Sequence, residues 1–76
     1  MTIKQLLGRF SIGNTQVVHI TDETKHRTYE SDPGTFCFED YADLFNGDYE
    51  ECLKYIYKMK VQYFNANNDM IWIHAE

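Results

Sequence analysis

Residues 30–51 read ESDPGTFCFEDYADLFNGDYEE. Eight carboxylates fall in this stretch: Glu30, Asp32, Glu39, Asp40, Asp43, Asp48, Glu50 and Glu51. No lysine or arginine interrupts them, and Phe36, Phe38, Tyr41, Phe45 and Tyr49 run between them. So dense a set of carboxylates suits three kinds of chemistry. It can hold a hard cation, form a solvated acidic face, or present negative charge to a basic partner.

The cation reading fails on spacing. A calcium loop needs oxygen ligands at alternate positions, a central glycine and a late bidentate glutamate. Around Asp43-Leu44-Phe45-Asn46-Gly47-Asp48, Phe45 stands where an oxygen is required. Zinc needs clustered cysteine and histidine. Cys37 and Cys52 lie fifteen positions apart, and His19, His26 and His74 form no paired motif with them. The expectation is no metal and no cofactor.

Catalysis has no local signature either. There is no glycine-rich phosphate loop, no G-x-S-x-G elbow and no dinucleotide fingerprint. A Cys–His pair distant in sequence stays open on composition alone. A chain of 76 residues has little room for a pocket of several hundred Å³. The expectation is a protein that is not an enzyme. Lys54, Lys58 and Lys60 form the one basic cluster, which reads as the charge complement of a helix C-terminus.

Net charge is −5. The acidic stretch contributes −8, and the rest of the chain, with seven basic and four acidic residues, carries +3. A field this local repels nucleic acid and attracts basic partners. Two readings of the stretch follow. One is a solvated helix face with N-terminal caps. The other is a surface that sets carboxylates where a nucleic acid would set phosphates, spaced about 1.7 Å apart along a duplex axis. In that reading Glu39, Asp40, Asp43, Asp48, Glu50 and Glu51 form the electrostatic face. Tyr41 and Tyr49 supply the desolvated anchors that an interface needs.

These side chains need elements to position them. Thr2 and Gln5 have capping-box spacing ahead of Ile3, Leu6 and Leu7, so residues 3–9 read as a short helix. QVVHIT (16–21) reads as a strand, and residues 26–30 return beside it, with Ile20 opposite Arg27 and Val18 opposite Tyr29. Asp32-Pro33-Gly34 breaks the chain. Phe38, Tyr41, Ala42 and Phe45 recur at helical spacing. Asp48 caps a second helix, with Tyr49, Cys52, Leu53, Ile56 and Met59 as its apolar stripe. Residues 61–65 and 70–75 read as a hairpin around Ala66-Asn67-Asn68-Asp69.

The order is α-β-β-α-α-β-β in a single domain spanning residues 1–76. The fold class is α+β: a small antiparallel sheet of two β-hairpins with short helices packed on one face. Val61, Tyr63, Met70, Trp72 and His74 alternate onto the sheet's second face. The N-terminal helix either covers that face or leaves an aromatic patch open. If it is open, Tyr63, Met70 and Trp72 can form a contact between copies, as in a homodimer or structural assembly.

Two cysteines are too few for the disulfide framework of a small secreted domain. No apolar run reaches the roughly 18 residues of a membrane span, and MTIKQLLGRF lacks the features of a signal peptide. A cytoplasmic protein without membrane attachment is the expectation.

In organisation the chain resembles small acidic phage- or prophage-encoded proteins of Gram-positive bacteria. The opening MTIKQLLGRF, the strand QVVHIT and the closing KVQYFNANNDMIWIHAE carry the likeness. Size and acidity resemble small anti-CRISPR proteins, several of which are acidic α+β domains that occupy a nuclease's nucleic-acid site. The resemblance implies an accessory protein that binds a protein of the host cytosol.

Overall fold

The computed structural model describes all 76 residues. α1 (Ile3–Leu7) opens the chain, followed by β1 (Val17–Asp22) and β2 (Arg27–Glu30). A 3-10 helix (Glu39–Phe45) leads into α2 (Tyr49–Lys58), and β3 (Val61–Ala66) and β4 (Met70–Ala75) close it. The α+β class and the element order are those the sequence implies.

Local chemistry accounts for the boundaries. Thr2 accepts from the Gln5 amide and the Gln5 side chain accepts from the Thr2 amide, so the capping box is complete. Asp48 Oδ1 accepts from the Glu51 amide at 3.2 Å and starts α2. Asn67 Oδ1 accepts from the amides of Asp69 and Met70, which folds the last hairpin.

The sheet is mixed, with strand order β2-β1-β4-β3. Each hairpin is antiparallel, as expected. They join through β1 and β4, which run parallel, with Ile20 opposite Ile73. The purely antiparallel sheet is thereby corrected. The long connection through the helices carries the chain from β2 to β3 on the opposite edge, and the last hairpin then lays β4 beside β1 in the same direction.

The first hairpin also sits two residues from its expected register. Ile20 faces Tyr29 and Asp22 faces Arg27. Asp22 sets this register. Its Oδ1 accepts from the amides of Thr24 and Lys25, so the turn begins at Asp22 and the strand runs one residue further. His26 adopts φ 52° to close the turn.

The core lies between one face of the sheet and the helices. Val18, Ile20, Tyr29, Ile71, Ile73 and Ala75 meet Ile3, Leu6, Leu7, Phe38, Cys52 and Ile56 there. α1 therefore shares the layer of α2 and leaves the second face uncovered. Val61 joins the core instead of that second face. A bulge between Val61 and Tyr63 inserts one extra residue and flips the strand's alternation.

Asp22 is fully buried. Its Oδ2 accepts from Tyr29 Oη at 3.0 Å and Tyr55 Oη at 2.8 Å, tying α2 to the first hairpin. Burial and these bonds to the carboxylate push the Tyr29 phenol well up, and the Tyr55 phenol up to about 12. A phenol whose folded pKa is raised adds stability below its ordinary value of 10.0, and that stability is lost as pH rises through the folded value. Absorbance of tyrosinate near 295 nm should therefore rise in two stages. Tyr29, Tyr49 and Tyr55 should ionise only with loss of the native near-ultraviolet circular dichroism. Ionisation of all six tyrosines in one step near pH 10 with tertiary structure intact would contradict this.

Candidate functional site

The acidic residues lie on the 3-10 helix and the start of α2. A regular α-helix expected over the first of these does not form. Phe38 at its N-cap has no side-chain oxygen to hold the free amides, and Asn46 enters the left-handed region at φ 60° and ends it. Three residues per turn set Asp40 and Asp43 one above the other. Gly47 follows at φ 77° and turns the chain into the α2 cap.

Glu39, Asp40, Asp43, Asp48, Glu50 and Glu51 are all exposed. Two have local structural partners. Asp48 caps α2, and Glu51 lies 3.5 Å from Lys54 Nζ. Glu39, Asp40, Asp43 and Glu50 have neither an ion pair nor a side-chain hydrogen bond. Their charge is left for solvent or for another molecule.

Tyr41 and Tyr49 are half-buried. Tyr41 Oη accepts from the Glu30 amide at 3.2 Å, and its ring meets Tyr29 edge-on at 5.0 Å. Burial, with the Cys37 thiol nearby, pushes the Tyr49 phenol up to about 12. Both rings help hold the domain together. The exposed apolar group of the ridge is Leu44, at 47% of its full area. α-Helical spacing gave it no part in the expected site. Leu44 is left outward, while Tyr41 is held inward by the Glu30 amide and the Tyr29 ring and Phe45 packs against Tyr55.

On the open sheet face Tyr63 and Trp72 are exposed, and Met70 and His74 are half-buried. The Tyr63 and His74 rings stack, with centroids 4.2 Å apart at 17°. His19 Nδ1 lies 3.0 Å from Glu30 Oε1, and His74 Nδ1 lies 3.0 Å from Glu23 Oε1. No lysine or arginine alternates onto this face. Its histidines are thus engaged with carboxylates and with a ring, and neither cysteine pairs with them.

Cys52 is buried in the core, where desolvation raises its thiol pKa, while Cys37 is half-buried. A buried, protonated thiol is a packing group and a poor nucleophile. No three histidine, cysteine or carboxylate side chains gather closely enough to hold a metal ion. No helix is long and apolar enough to cross a membrane.

Comparison with known proteins places no relative beside the chain: no family model, no curated protein and no solved structure matches it.

Proposed function

We propose that the protein works by binding another protein through the acidic ridge of residues 39–51, as an inhibitor or modulator. The observation that carries this reading is the set of exposed, unpartnered carboxylates at Glu39, Asp40, Asp43 and Glu50, with Leu44 exposed among them. None of the four carboxylates makes an ion pair or a side-chain hydrogen bond within the fold, and only Glu50 has a local role, in the first turn of α2. Aligned carboxylates attract a surface rich in arginine and lysine, and a central apolar side chain slows dissociation once contact is made. A surface with that charge pattern is the one a nucleic-acid-handling protein uses for phosphates. The ridge then acts in part as a mimic of DNA and needs no nucleic acid itself.

Taken with its organisation, the chain fits a phage-encoded protein of the bacterial host cytosol whose target is an enzyme such as a CRISPR effector. Affinity capture from a Gram-positive host lysate, at low and high salt, tests the proposal. The expected result is a basic, nucleic-acid-binding protein retained at low salt and released at about 0.5 M salt, where screening acts within a few Å. A partner that is acidic, or that is retained equally at both salts, would overturn it.

A second reading rests on the open sheet face. Tyr63, Met70 and Trp72 are available there for contact between two copies, as in a homodimer or structural assembly. Light scattering across a concentration series separates the two. A monomer at every concentration would remove the second reading.

A further inference from the structure

The charge of the molecule reverses in one place. A hollow of about 370 Å³, roomier than the short chain leads one to expect, lies open between α1 and the second half of α2, lined by Thr2, Lys4, Lys54, Tyr57 and Lys58. Three of the chain's seven basic side chains converge there, and no carboxylate lines it. Lys4 and Lys58 have no ion-pair partner. Lys54 reaches Glu51 only at 3.5 Å between exposed side chains, a contact of little worth. The α2 dipole accounts for Lys58 in its last turn. It does not account for Lys4, which arrives from a separate helix.

A second hollow, of about 260 Å³, continues from the first, since Lys4 and Tyr57 line both. Its remaining walls are Leu7, Gly8 and Phe36. One end of the groove is therefore cationic, and the other offers aliphatic and aromatic surface. Ammonium groups bind phosphate as point charges, and aromatic rings stack on nucleobases. Volumes of this order suit a small ligand.

We infer that this groove binds a nucleoside phosphate, with its phosphates at Lys4, Lys54 and Lys58 and its base against Tyr57 and Phe36. The site lies apart from the unpartnered carboxylates Glu39, Asp40, Asp43 and Glu50 and meets the ridge only through the weak Lys54–Glu51 contact.

Amide chemical shifts of the whole chain, followed during titration with ADP, pyrophosphate and adenosine, test the assignment. ADP should give saturable shifts at Lys4, Leu7, Phe36, Lys54, Tyr57 and Lys58, with a Kd at or below about 1 mM. Pyrophosphate should move the lysine end only and bind more weakly than ADP. Replacing Lys4→Gln and Lys58→Gln together should weaken ADP by about tenfold or more, with the melting temperature lowered by no more than a few degrees, the loss expected from the Lys58 charge at the end of α2. Three results would overturn the proposal. These are pyrophosphate binding as tightly as ADP, shifts spread equally over Lys25 and Lys60, and unchanged ADP affinity in the folded double variant.

Discussion

Asp22→Ala should cost about 3–5 kcal/mol of stability, the largest loss of any single substitution away from the apolar core. The carboxylate is fully buried and accepts four hydrogen bonds, from the amides of Thr24 and Lys25 and the hydroxyls of Tyr29 and Tyr55. Alanine leaves all four donors without their acceptor. The Tyr29 hydroxyl suffers most, because Tyr29 is itself fully buried and water does not replace the bond. The link between α2 and the first hairpin is lost at the same time.

A chain of this size has on the order of 4–11 kcal/mol in total, so the variant would lie near the edge of folding. Its melting temperature should fall by roughly 15 °C or more. Asp22→Asn should recover part of the loss, since its carbonyl oxygen still caps the turn and its amide faces the two hydroxyls. Thermal melts followed by circular dichroism check both. A fall of only a degree or two for Asp22→Ala would show that the buried network contributes little.

The same residue shows where reading the sequence succeeds and where it stops. Signals carried by residues three or four apart were legible. The Thr2–Gln5 capping box, the Asp48 cap and the asparagine turn at residue 67 all form. Each depends only on a side chain reaching a nearby amide. The hairpin register was not legible, because Asp22 is fixed by Tyr55, 33 positions away, as well as by its own turn. The parallel pairing of β1 with β4 is likewise a long-range contact that alternation along a strand does not encode.

The acidic face was legible in composition but not in shape. Eight carboxylates without a counter-charge are plain in the sequence. Which aromatic rings face outward depends on whether Glu39–Phe45 winds with 3.0 or 3.6 residues per turn. The absence of a capping side chain at Phe38 favours the tighter winding. Tyr41 is half-buried through its contacts with Glu30 and Tyr29 while Leu44 stays exposed, an outcome set by those distant contacts and not by the period alone. The uncovered sheet face also needed the structure, since either placement of α1 satisfies the apolar pattern of its sequence.

Reversing the unpartnered charges should have the largest effect on binding. Asp40→Lys, Asp43→Lys and Glu50→Lys together should weaken binding to the captured partner by about a hundredfold or more at low salt. The three side chains are exposed and make no internal contact, so folding should survive. The change at Glu50 opposes the α2 dipole by only about 0.5 kcal/mol. The neutral set Asp40→Asn, Asp43→Asn and Glu50→Gln should fall between the wild type and the reversed variant, because it removes attraction without adding repulsion. Leu44→Ala should raise the dissociation rate and leave the salt dependence unchanged, which separates the apolar anchor from the charges.

The dependence of affinity on salt tests the central claim most directly. It would be measured by titration calorimetry on the wild type and the two triple variants, with circular dichroism confirming the fold of each. The acidic-ridge account predicts that wild-type affinity falls steeply as salt rises, that the neutral variant shows a shallower slope, and that the reversed variant loses binding at low salt. Folded variants that bind with wild-type affinity and the wild-type salt slope would contradict it.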